Sequence, residues 1–144
     1  MTSYLFHMVI VYIIILIGFA RILSGKGYTI FPTCRTSNKE LDSVNLNGGK
    51  VITGIDMLDE KFPLKLKEAV GSTPIHFLIN NSGILEVDSL NEDIDYDIMR
   101  KQYEVNTLGP LKVSKVLLDN FLEGRSFYIH YIYVYKHTYI CTSI

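Results

Sequence analysis

The stretch Pro74-Ile75-His76-Phe77-Leu78-Ile79-Asn80-Asn81-Ser82-Gly83 decides the fold. A short aliphatic and aromatic run opens after a proline and closes on a cluster of turn formers, which predicts a strand over residues 75–80 running into a tight turn. Upstream, residues 64–70 carry helical spacing, and residues 50–55 (Lys-Val-Ile-Thr-Gly-Ile) follow the turn signal Asn47-Gly48-Gly49. Strand, helix and strand make one βαβ unit, the building block of a parallel sheet. Residues 28–34 (Tyr-Thr-Ile-Phe-Pro-Thr-Cys) read as a further strand. Gly27 before them suits the left-handed residue that ends a helix over 20–26. Pro32 sits awkwardly inside that strand, because proline withdraws a ladder donor. Right-handed crossovers put the carboxyl ends of parallel strands on one edge, where open α/β sheets bind ligands. Function is therefore expected at Cys34-Arg35, at Asp56 and along Asn80 to Gly83.

Downstream of the turn, Ile98, Val105, Leu108, Leu111, Val116 and Leu117 recur near helical spacing, predicting one long helix over residues 95–122. Gly109-Pro110 interrupts it. Proline has no N–H to give to the carbonyl four residues earlier, so Asn106 keeps a free main-chain acceptor. Relief of such a kink by water is the ordinary outcome.

Composition bounds the rest. With 144 residues and 48% apolar content the chain makes one domain with a real core. A net charge of -1 without any Lys or Arg block leaves no electrostatic footprint for nucleic acid, which is excluded as a partner. Cys34 and Cys141 are too far apart to signal a disulfide framework or a zinc site, so no metal is expected and a reducing, cytoplasmic location fits. The chain divides into an apolar segment (1–17), an ordinary α/β region (18–124) and a Tyr/Ile-rich tail (125–144). The first segment has two readings: a buried strand over residues 8–16, or a membrane anchor through the uncharged residues 1–20. The strand is preferred, because a helical pattern begins inside the same run. The alternating tail is a candidate fifth strand.

Four motifs in order carry a family resemblance. Leu78-Ile-Asn-Asn-Ser-Gly83 resembles the Asn-Asn-Ala-Gly motif of the short-chain dehydrogenase/reductases, with Ser82 in place of Ala. Gln102-Tyr-Glu-Val-Asn-Thr-Leu-Gly-Pro-Leu111 resembles the family helix that supplies a catalytic asparagine, here Asn106. Gly54-Ile-Asp-Met57 resembles the adenine-contacting segment, and Thr33-Cys-Arg35 the end of the second strand. Residues 20–118 most resemble the branch of the bacterial C-factor and sniffer-type carbonyl reductases. The resemblance implies a Rossmann-type three-layer α/β sandwich with a mostly parallel sheet, incomplete at both ends. It further implies a nicotinamide nucleotide held by Arg35, Asp56, Met57, Asn80, Asn81, Ser82 and Gly83, hydride exchange with a carbonyl or alcohol, and a candidate homo-oligomer. Each residue type suits its task. Gly83 admits close approach of a ribose, the Asn80 and Asn81 amides both donate and accept, and ionised Asp56 accepts from an exocyclic amine. Arg35, with no acid beside it, favours NADP over NAD, since a guanidinium pairs with a 2′-phosphate.

Two family features are missing from the sequence. Before Gly25 the only glycine is Gly18, so no glycine-rich turn precedes the first helix. Nor does any Tyr precede a Lys by four residues: Lys136 is preceded at that spacing by Ile132, and Tyr96 is followed by Arg100. The expectation is a partial NAD(P)-dependent oxidoreductase that is inactive as this chain; the alternative is a non-catalytic interaction or membrane-associated protein derived from the same fold. Core positions are expected at Ile30, Val51, Ile55, Phe77, Ile79, Leu108 and Leu111.

Overall fold

The computed structural model describes residues 5–10, 13–85, 95–124, 128–135 and 138–143. Strand β1 (Leu5–Ile10) leads into α1 (Ile13–Gly25) and β2 (Thr29–Thr33), followed by the short α2 (Lys39–Asp42). Then come α3 (Phe62–Val70), β3 (Phe77–Asn81), α4 (Tyr96–Tyr103), a π-helical turn (Glu104–Leu108), α5 (Gly109–Val116) and α6 (Leu118–Gly124). The chain closes with β4 (Tyr128–Tyr135) and β5 (Thr138–Ser143). The sheet order is β2-β1-β3-β4-β5. β1 to β4 are parallel, and β5 returns antiparallel against β4.

At β2 and β3 both faces of the sheet are covered, so these strands carry apolar residues in succession rather than in alternation. Ile30 and Ile79 pack with Leu16, Ile17 and Ala20 of α1 and with Leu41. Their neighbours Phe31 and Leu78 pack on the opposite side with Phe62, Leu66, Val105, Val113, Leu117 and Phe121. This is the three-layer arrangement expected. Among the expected core residues, Ile30, Ile55 and Ile79 are buried, while Val51, Phe77 and Leu108 are partly covered. Leu111 is 59% exposed, and the buried positions of its helix are Gly109, Pro110 and Val113.

Four expectations shift. The first strand lies at Leu5–Ile10 instead of 8–16, because the β-branched run after Tyr12 is already helical. Leu16, Ile17 and Ala20 present a helical stripe to the core while Ile14 faces solvent, so packing overrides strand propensity. Residues 50–55 make a single parallel bridge, Thr33 to Ile52, instead of a strand. Gly54, with φ +74, turns the chain there and donates its N–H to the Arg35 carbonyl at 3.0 Å. The long helix is split by the π turn and again at Leu117, whose φ and ψ of -99 and 7 leave the helical region. Pro110 falls at the start of α5, where its missing N–H disturbs least. Finally, the tail supplies two strands where one was expected. Among the described residues no helix is long and apolar enough to cross a membrane.

Candidate functional site

Strand register aligns the candidate residues. Val9 pairs with Thr33 on one side and with Asn80 on the other, and Thr33 bridges Ile52. Cys34-Arg35, Asp56-Met57 and Asn81 to Gly83 therefore all leave the sheet at its carboxyl edge, as the sequence predicted. The exits of β2 and of the Ile52 segment are stitched together: Cys34 N–H donates to the Ile52 carbonyl at 3.0 Å, and Ile55 N–H to the Cys34 carbonyl at 3.1 Å. Arg35 stands exposed beside them and forms no ion pair with a described residue. One Asp56 carboxylate oxygen accepts the Leu58 N–H at 3.0 Å, closing an Asx turn.

At the end of β3, Asn80 and Asn81 are each only 3% exposed. Both polar atoms of the Asn80 carboxamide and Nδ2 of Asn81 find no hydrogen-bond partner among the described residues. A buried amide left unpaired costs about 1–3 kcal/mol per group. Ser82 is buried next to them. A Cβ added at Gly83 would stand 3.5 Å from Asn106 Oδ1, an ordinary contact, so the protein's own packing does not explain a glycine there.

Asn106, reached from the far side of the turn, grips this loop. Its Oδ1 accepts the Ile84 N–H at 2.8 Å while its Nδ2 donates to the Ile84 carbonyl at 2.9 Å. A carboxamide bonded at both ends to one residue imitates a neighbouring strand and fixes the loop's height and tilt together. The sequence did not show three features of this arrangement: the clamp on Ile84, the π turn that aims it, and the packing of Met57 against Gly109. The Gly109-Pro110 interruption was their only outward sign.

Cys34, buried at the same edge, has its thiol pushed above the ordinary range by burial and then by the charge of Asp42. A raised value keeps the folded thiol protonated, and this contribution to stability is lost as pH rises through it. In a Cys141→Ser background, Cys34 is expected to react with iodoacetamide at neutral pH only as fast as the domain opens. Labelling at the rate of a free thiol would contradict that. No group of His, Cys, Asp or Glu among the described residues could hold a metal ion.

No protein-family model matches the chain. C-signal of Myxococcus xanthus is 35% identical over 51 residues, which are 35% of this chain and 31% of that protein. The uncharacterized oxidoreductase YusZ of Bacillus subtilis is 32% identical over 106 residues, 69% of this chain and 38% of its own length. Among solved structures, a short-chain dehydrogenase/reductase of Saccharomyces cerevisiae superposes with a TM-score of 0.73 at 20% identity, covering 90% of this chain and 53% of that one. A carbonyl reductase of Pseudomonas aeruginosa in complex with NADP gives 0.66 at 20% identity, with 82% and 56% covered. The chain spans about a third of the length of these curated relatives, 31% and 38%. The ordered motifs, the sheet order and these matches agree in one respect: the chain is similar in sequence to oxidoreductases and in fold to short-chain dehydrogenases/reductases.

Proposed function

We propose that this chain carries the nucleoside-facing edge of an NADP-dependent carbonyl or alcohol oxidoreductase, and that the 144 residues alone do not turn substrate over. The observation that carries the reading is the cluster at the end of β3: buried, unpaired Asn80 and Asn81 beside Gly83, with Asn106 clamped on Ile84. Such an edge suits a nucleotide, whose ribose and ring nitrogens offer both donors and acceptors. Arg35 offers a guanidinium to a 2′-phosphate and Asp56 an acceptor to an adenine amine. The carbonyl reductase of similar fold that binds NADP supports the same choice. When bound, a nicotinamide nucleotide supplies the hydride.

The fit fails at the pyrophosphate. Only Val11 and Tyr12 stand between β1 and α1, and neither is glycine. A Rossmann phosphate site needs a longer glycine-rich turn whose backbone N–H groups reach the ligand at a helix N-terminus. The chain's retained parts hold a nucleoside weakly: Asn106 fixes the loop of Gly83 and Ile84, and its main-chain carbonyl, which Pro110 cannot serve, is the acceptor left for a water in a proton relay.

Binding at roughly millimolar strength is worth only about 4 kcal/mol, enough to be mapped by amide chemical shifts. Titration with NADPH is expected to move the signals of Arg35, Asp56, Met57 and Asn80 to Gly83. NADH should move them less, and Arg35→Glu should abolish the preference. Shifts scattered over the domain, or none at the solubility limit, would overturn the reading. Self-association in their place would favour the non-catalytic alternative, for which the exposed Leu111, Leu118 and Leu122 on α5 and α6 speak.

A further inference from the structure

Asn106 can grip Ile84 only if the helix beneath it is held at the right rotation, and that helix is irregular at this point. The Gly109 N–H donates to the Glu104 carbonyl, five residues back, so residues 104–108 form a π turn, and Asn106 lies within it. The Glu104 carboxylate and the Lys112 ammonium form an ion pair along the same turn. A π turn costs regular helical bonding and persists where its surroundings demand it.

The demand comes from Gly109. Its φ of -56 is ordinary for a helix, so the backbone conformation does not require glycine. Space bears on it instead: a Cβ there would lie 2.9 Å from the Met57 sulfur and 3.3 Å from Met57 Cγ, so the Met57 side chain would have to shift. Gly109 is buried, and Met57 is 6% exposed in the cluster that also holds Val105 of the π turn. Met57 thus lies flat on the bare backbone of the helix three residues beyond Asn106.

We propose that Met57 is a positioning residue: its thioether, seated on Gly109, fixes the π turn that carries Asn106 and so holds the Asn106 carboxamide on Ile84. The significance of the loop rests on the function proposed above, but the contact itself does not. The consequence is a mechanical link across the edge. The segment that offers Asp56 to one end of a ligand also sets the height of Asn81 to Gly83 at the other, so a disturbance at either end reaches the other without crossing the sheet.

Local amide exchange in the full chain tests this without any cofactor. The Ile84 N–H is protected by Asn106, whereas the Ile75 N–H, bonded to the Asn120 carbonyl at 2.9 Å, reports on the opposite end of the domain. Gly109→Ala, which displaces Met57, and Met57→Ala, which leaves the helix unsupported, are each expected to speed Ile84 exchange about tenfold while Ile75 stays within about twofold. In the double variant the new methyl occupies the vacated space, and Ile84 protection is expected to return most of the way. Met57→Leu, of similar volume, should stay near the parent. Should Gly109→Ala fail to fold, Met57→Ala and Met57→Leu carry the test alone. Unchanged Ile84 exchange in Met57→Ala, equal acceleration at Ile75, or additive effects in the double variant would overturn the proposal. Failure of NADPH to shift the edge, with this exchange pattern intact, would instead count against the proposed function alone.

Discussion

Gly49→Ala is expected to destabilise the domain by on the order of 3–5 kcal/mol, a large share of the about 5–15 kcal/mol typical of a whole domain. A Cβ at this position would stand 1.8 Å from the Ile30 carbonyl oxygen and 2.7 Å from its carbon, both backbone atoms of β2 that no rotamer change can move. Relief requires residues 46–49 to lift away from β2, and that loop is tied down. Ile30 N–H donates to the Leu46 carbonyl at 3.1 Å, and Thr29 Oγ1 donates to the Asn47 carbonyl at 2.9 Å. The Asn47 carboxamide in turn donates to the Ser24 and Tyr28 carbonyls at 2.8 and 2.9 Å, joining the end of α1 to the start of β2. Lifting the loop therefore breaks a group of bonds together. Two neighbouring changes calibrate the effect. Gly48→Ala meets open space but a φ of +89, so it should cost about 1 kcal/mol. Gly18→Ala, inside α1 with nothing nearby, should stabilise by roughly 0.5–1 kcal/mol. Urea denaturation followed by circular dichroism gives all three. A loss below about 1 kcal/mol for Gly49→Ala would show that β2 and this loop are not in the contact described.

Some of this structure could be read from residues and some could not, for physical reasons. β3 was legible because an apolar run bounded by Pro74 and by Asn80-Asn81-Ser82-Gly83 has no competing interpretation. The end of α1 was marked by Gly27, whose φ of +86 is the left-handed value a glycine supplies. The start of α1 was hidden, since Ile13 to Ile17 favour a strand by local propensity and become helical only because Leu16, Ile17 and Ala20 find a core to face. Tertiary packing decided that segment. The Ile52 segment was over-read for a related reason: its β-branched residues are compatible with a strand, yet Gly54 turns the chain after a single bridge. At the candidate site, the motif-bearing residues fall along one edge because parallel topology alone brings strand ends together. Side-chain engagement was not legible. Nothing in the identity of Asn106 says that its carboxamide bonds Ile84 at both ends, and Gly109 reads as a helix breaker until Met57 is seen lying on it.

Purified as these 144 residues, the chain is expected to show no NADPH oxidation with any aldehyde or ketone. Two independent features argue for it. First, the only glycine before Gly25 is Gly18, so the sequence lacks the glycine-rich run through which a backbone approaches a pyrophosphate. An unpaired buried phosphate charge costs at least several kcal/mol, which weakens binding a thousandfold or so. Second, with no Tyr followed four residues on by Lys, no positioned acid delivers the proton that accompanies hydride, removing a factor of roughly 10² to 10⁴ even with nucleotide bound. Asn106 does not replace that acid: an amide does not titrate near neutral pH, and both ends of this one are engaged with Ile84. The two losses can be separated. Replacing Val11-Tyr12 by a Gly-x-x-x-Gly-x-Gly loop should restore saturable NADPH fluorescence quenching while leaving the absorbance assay flat, because the proton donor is still missing. Saturable turnover by the unaltered chain, abolished by Asn106→Ala, would show that the edge built from Asn80, Asn81, Gly83 and Asn106 is sufficient for catalysis, and would sink both arguments together.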